Sequence, residues 1–153
     1  MTSSYEKIFS RSRLKMNDLK EILTLNDNDL TALNTERLHS VIGDIRVQNL
    51  FNTFEMDDEI QEIKFTLNYP TNDFFDEEFL VELLSLGMVI TWLRPQVESH
   101  EMIAVMIGGK EEKSLNNQYK NVKARLEALE LKQYQMLRDR GALHNDYVNG
   151  VPW

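Results

Sequence analysis

The sequence predicts an all-α fold: a small bundle of about four helices with a long C-terminal helix, a short hairpin or loop excursion near 52–70, and an extended C-terminal tail. Three observations carry this. Apolar residues recur at helical spacing through most of the chain. Six glycines and three prolines leave little material for the turns of an all-β fold. One segment, Phe79 to Leu93, is apolar almost all round, as a helix buried on several sides must be. At 153 residues the chain holds one domain's core, read as a helical domain over 1–140 and a tail over 141–153.

Tyr5, Ile8, Phe9, Ser12, Met16 and Leu19 are spaced as one face of a first helix, with Ser3 or Ser4 as its cap. Arg11, Arg13, Lys15 and Lys20 fall on the complementary face. Asn26-Asp27-Asn28-Asp29 reads as a loop, because Asn and Asp side chains satisfy turn backbones. A second helix is expected from Leu30 to about Phe51, its stripe being Leu30, Leu33, Leu38, Val41, Ile42, Ile45 and Leu50. From Asn52 the helical period fails. Ile60, Ile63, Phe65 and Leu67 give only a brief alternation, which suits a short strand, a hairpin or a loop, and Pro70 forces extended backbone before it.

The third helix is the clearest element: Phe75, Phe79, Leu83, Leu86, Ile90 and Leu93 form one stripe, which Leu80, Leu84, Met88 and Trp92 thicken to nearly the full circumference. Thr71, Asn72 or Asp73 caps it, and Asp76, Glu77 and Glu78 lie in its first turn, where the helix dipole favours anions. Gly87 in its middle costs about 1 kcal/mol against alanine and implies close backbone packing. Pro95 is expected to end or kink this helix near Leu93, with helix resuming to Gly108-Gly109. The last helix is expected to start near Ser114. Leu115, Tyr119, Val122, Leu126, Leu129, Gln133, Met136 and Arg140 keep the four-three spacing of a packed helix seam, and Gly141 is a natural stop. Beyond it, Tyr147, Val148, Val151 and Trp153 make the tail apolar and aromatic, residue types favoured as interface anchors.

The net charge is -8, and it is unevenly spread. Residues 55–82 hold ten acids against Lys64 alone, a local net of -9, so the rest of the chain sums to +1. A protein that grips duplex DNA concentrates Lys and Arg on one face instead. An acidic surface that repels phosphate remains compatible with DNA passing by, and Asp57, Asp58, Glu59 and Glu62 are its candidate residues. The apolar run is too short and too polar for a membrane span of about 20 residues, so a soluble chain without membrane contact is expected. Without cysteine there is no disulfide, thiolate metal site or cysteine nucleophile.

Catalytic and cofactor motifs fail on inspection. Gly108-Gly109-Lys110 lacks the upstream glycine, the following Ser or Thr, and the preceding strand of a phosphate loop. Asp27, Asp29 and Thr31 begin a calcium-loop spacing, but Leu38 stands where the bidentate Glu belongs. His39, His100 and His144 have no metal-ligand spacing. The expectation is a non-enzyme with no cofactor and no metal.

The run Asp76-Glu77-Glu78-Phe79-Leu80-Val81-Glu82-Leu83-Leu84-Ser85-Leu86-Gly87-Met88-Val89-Ile90-Thr91-Trp92-Leu93-Arg94-Pro95 resembles the small head–tail connector (adaptor, head-completion or neck) proteins of tailed bacteriophages. Members carry a similar acidic start, a Leu-Gly-Met-like step and a Trp-Leu-Lys-Pro-like end. Gly108 to Ser114, followed by Asn116-Asn117-Gln118, is similar to the family's polar linker into a long final helix, and Tyr5 to Leu25 shares its rhythm. Leu115 departs, where an aromatic is expected, as does the longer stretch from Asn52 to Pro70. The resemblance implies a virion protein at the portal vertex, present in the host cytoplasm during assembly. It implies a homo-oligomeric ring, commonly a dodecamer, bound to the portal protein and receiving a stopper or tail-completion protein. Double-stranded DNA would pass through its channel without specific binding. On this reading Tyr147, Val148, Val151 and Trp153 dock into the portal, and Asp57, Asp58, Glu59 and Glu62 face the channel or partners. A reading from another class is a small acidic helical regulator that binds a host or phage protein as a DNA mimic. A third is a different virion component, such as a tail-completion or scaffolding protein.

Overall fold

The alternation of Ile63, Phe65 and Leu67 with Glu62, Lys64 and Thr66 is the signature of a strand with one buried face, and it builds the centre of a small sheet. In the structure, a computed structural model that describes residues 1–16, 19–106 and 110–143, the strands are β1 (Thr2–Ser4), β2 (Phe51–Asp57) and β3 (Glu62–Leu67). They are antiparallel in the order β1-β3-β2. The fold is therefore predominantly helical but not all-α. The excursion near 52–70 is an ordered hairpin, and Thr2–Ser4 completes the sheet.

Ser3 and Ser4 serve that sheet more than they cap a helix. Ser3 pairs with Ile63, and Ser4, although at the N-cap position, makes no side-chain cap hydrogen bond. Backbone bonds from Phe65 N to Met1 O and from Tyr5 N to Gln61 O, both 2.9 Å, close the pairing at either end. A register shift between Phe51 and Thr53 interrupts the period of β2, which hides that strand from a pattern search.

The helices are α1 (Tyr5–Lys15), α2 (Leu19–Thr24), α3 (Asp27–Ile42), α4 (Ile45–Gln48), α5 (Asp73–Met106) and α6 (Lys110–Leu143). The expected helix from Leu30 to Phe51 is divided. It begins earlier, at Asp27, because the Asn26 side chain accepts from Asp29 N. It ends at Ile42, and Asp44 caps the short α4 by accepting from Arg46 N. The last helix likewise begins at Lys110 rather than Ser114 and runs through Gly141. Its neighbours 107–109 and the tail from 144 lie outside the described residues.

Pro95 does not end α5, which spans 34 residues across it. Proline removes one helical donor and crowds the carbonyl four residues back. Here Leu93 and Val97 on either side are buried in a common apolar cluster, and Gln96 Nε2 donates to Trp92 O at 3.2 Å, supplying a side-chain donor beside the break. Packing overrides the local preference.

The all-round apolar surface of α5 is explained by what covers it. Leu80, Val81, Leu84 and Met88 pack with Tyr5, Ile8 and Phe9 of α1, Leu38 and Val41 of α3, and the buried face of β3. Leu86, Val89, Ile90, Leu93 and Val97 pack instead with Leu126 of α6, flanked by Tyr119, Val122, Leu129 and Met136. The seam read in α6 is thus its packing face. A β-carbon on Gly87 would lie 2.5 and 2.9 Å from the two γ-carbons of Val41, so the missing side chain is what lets α3 approach α5.

Candidate functional site

The acidic run of the sequence separates into two groups with different fates. On α5, Glu77 meets Lys7 at 2.6 Å, Glu78 meets Arg11 at 3.0 Å, and Glu82 meets Lys15 at 2.5 Å and Lys132 at 3.4 Å. The basic face of α1 is therefore spent on neutralising the first turns of α5. The Lys7 and Lys15 pairs join residues 70 and 67 positions apart, a pairing no local pattern reveals. Asp76 meets Arg140 at 3.3 Å and Asp73 opens α5, while the other five acids, Glu55, Asp57, Asp58, Glu59 and Glu62, gather on the β2–β3 hairpin, with Lys64 opposite Glu55.

The four candidate acids are brought together at that hairpin's tip, but they are not equivalent. Asp57 Oδ1 accepts from the backbone of Glu59 at 3.0 Å and Ile60 at 3.3 Å, shaping the turn. Gln61 closes it in the left-handed region at φ 55°, a conformation costing roughly 1–2 kcal/mol for a residue with a β-carbon. Asp58 is tied back to the body. Tyr5, fully buried at 0% exposure, donates its hydroxyl to Asp58 Oδ1 at 2.5 Å, and His39 Nε2 lies 2.8 Å from Oδ2. Glu59 is exposed and Glu62 half-buried beside Ser4. Sequence reading missed the Tyr5–Asp58–His39 link, because its members lie on three separate elements.

The Tyr5 bond, aided by His39, holds the Asp58 carboxyl below its ordinary range. Burial, and then the same bond, pushes the Tyr5 hydroxyl up. Arg46 lowers Asp44. At Glu82 burial raises the pKa, but Lys15 and Lys132 outweigh it and the net direction is down. A carboxyl with a folded pKa below its unfolded value stabilises fully above the unfolded value, about 4, and loses that stabilisation as pH falls through the folded one. The urea midpoint is therefore expected to be level down to about pH 4 and to drop in more acid solution. In Asp58→Asn the drop should be shallower; an unchanged acid limb would refute the Asp58 contribution.

A second surface lies at the start of α5. Phe74 and Phe75 are 67% and 60% exposed and touch edge to face, ring centroids 5.6 Å apart. The end of α6 lies beside them: Arg140 donates to Tyr69 O at 2.9 Å and to Asp76 at 3.3 Å, and covers the Phe79 ring at 4.7 Å. The chain leaves the described residues a few positions later. The predicted docking residues Tyr147, Val148, Val151 and Trp153 lie outside them. Phe75, expected on the apolar stripe of α5, is exposed instead, because the stripe is covered by α1, α3 and β3 only from the next turn onward.

Among the described residues no group of three or more His, Asp or Glu side chains is placed to hold a metal ion, and no helix is long and apolar enough to cross a membrane. Comparison with protein-family models, with curated proteins and with solved structures gave no match.

Proposed function

We propose that this chain is a structural protein of a tailed-phage neck. In this reading it forms a ring on the portal, extends the DNA channel and offers a platform for a stopper or tail-completion protein. The observation that carries the reading is the end of the molecule where α6 finishes against the head of α5. Two neighbouring exposed phenylalanines lie there, and from the same end the chain continues toward Tyr147, Val148, Val151 and Trp153. Exposed aromatic groups of this kind suit burial against a partner. Repetition around a ring would raise the strength of individually weak contacts through effective concentration.

The charge arrangement is consistent with the same role. With Glu77, Glu78 and Glu82 of α5 paired to α1 and α6, a concentration of negative charge is left on the hairpin, away from Phe74 and Phe75 in sequence. A hairpin bearing Asp57, Asp58, Glu59 and Glu62 would repel phosphate and let DNA slide past. The family resemblance of Asp76 to Pro95 supports the reading from the sequence side.

The test is attachment to portal-bearing heads that lack a neck. The full chain is expected to co-sediment with them, and a chain ending at Leu143 is expected to lose attachment with unchanged far-ultraviolet circular dichroism. Attachment of the shortened chain would overturn the docking role of the tail. Failure of the full chain to bind, with salt-sensitive competition against DNA for a basic protein, would favour the acidic regulator instead.

A further inference from the structure

Where α3 ends against α5 and α6 there is a cavity of about 250 Å³. Ser40 and Gly43 line it from the end of α3, Gly87 and Thr91 from α5, and Gln133 from α6. Gly87 serves it twice, by admitting Val41 on one side and leaving space on the other. The charged groups on the rim are already matched. Asp44 holds Arg46 at 2.7 Å, and Arg94 holds Glu130 at 3.3 Å.

Gln133 is the exception. It is only 6% exposed, yet its side chain has no hydrogen-bond partner among the described residues. Neither amide atom is sealed into the protein without a partner, so the amide opens onto the cavity that Gln133 lines. Its position in α6 makes this harder to dismiss as packing, since Leu126, Leu129 and Met136 occupy the same apolar seam. Set deep in the fold yet open to the cavity, the amide presents a donor and an acceptor that no protein group fills.

We propose that the cavity is a binding site for a carboxamide group. The unmet chemistry is a donor and an acceptor side by side, whose complement is a second amide pairing in both directions. Thr91 Oγ1 donates to Gly87 O at 2.9 Å, which leaves its lone pairs to accept from the ligand. Paired rim charges give no reason for an ionic ligand, and the carbonyl end of α3 disfavours an anion. A cavity of this size is larger than the roughly 150 Å³ that holds benzene in an engineered protein core, so it admits a small amide or the end of an Asn or Gln side chain. The site stands independently of the neck reading.

The experiment is a titration of the full chain with acetamide, followed by the side-chain amide resonances of Gln133. Saturable shifts of these resonances and of Thr91 at millimolar acetamide are expected, with acetate at equal concentration giving none. The tripeptide Gly-Gln-Gly forms a second arm. Tighter binding than acetamide assigns the site to a partner's side chain, and equal or weaker binding assigns it to a free small amide. Gln133→Leu, followed by the Thr91 resonances, should abolish the saturable response. Unmoved Gln133 resonances in the wild type, or an unchanged Thr91 response in the variant, would overturn the proposal.

Discussion

Arg140→Ala is expected to destabilise the fold by about 3 kcal/mol, the lower end of the range for breaking a buried ion pair from one side. Asp76 is 2% exposed and lies in the first turns of α5. It accepts from Thr71 N at 3.2 Å, from Thr71 Oγ1 at 2.8 Å and from Arg140 at 3.3 Å. Removing the guanidinium leaves that carboxylate buried with its two Thr71 donors but without its counter-charge. The contact over the Phe79 ring goes as well, which contributes on the order of 1 kcal/mol when partly desolvated. The melting temperature should fall by roughly 6–12 °C, given about 2–4 °C per kcal/mol for a chain of this size. Combining Arg140→Met with Asp76→Asn removes both charges and should recover a large part of the loss, since partners in one network are not additive. Urea unfolding of the two single variants and the pair measures this. A single-variant loss under about 0.5 kcal/mol would place the pair among the surface ion pairs of little weight.

Gly87→Ala carries the next largest effect, and its sign separates local preference from packing. Helix propensity alone favours alanine by about 1 kcal/mol. The new β-carbon would meet Val41 at 2.5 and 2.9 Å, and Val41 is 5% exposed with a stiff, branched side chain. Overpacking of this kind costs about 1–3 kcal/mol, so a net loss of up to about 2 kcal/mol is expected. Val41→Ala in the same chain should reverse the sign of the Gly87→Ala step, a coupling that a double-mutant cycle reads directly. A higher melting temperature for Gly87→Ala alone would show that α3 and α5 do not approach so closely.

Much of the helical frame was legible because it rests on local chemistry. Asn72 accepts from Phe75 N at 2.9 Å at the head of α5, as expected of one of its three candidate caps, and the apolar circumference of α5 foretold cover on several sides. What escaped was long-range. Thr2-Ser3-Ser4 has no alternation to mark a strand; it is one because β3 has an unpaired edge beside it. Phe51 and Phe54 lost their period to a bulge. Pro95 reads as a stop in any local scheme, and only Leu93 and Val97 packed in the same apolar cluster show why it is not. The acidic segment was legible as a sum but not as a site. Three of its ten acids are paired with Lys7, Arg11 and Lys15, whose partners are fixed by the fold. Gln133 fitted the heptad spacing so well that its polarity drew no attention.

The place of α5 at the centre of both apolar clusters also sets a timetable for synthesis. Tyr5, Ile8 and Phe9 have their partners on β3 and α5, and the Lys7–Glu77 contact spans 70 residues. At the usual elongation rate of about 5–20 residues per second, the nascent first helix waits on the order of several seconds for the segment that covers it. Until then its apolar face has no native neighbour, and β3 is missing the wall against which its own face closes. Fragments released before α5 is complete are thus the species most exposed to aggregation, and the second face of α5 is covered only once α6 has been made.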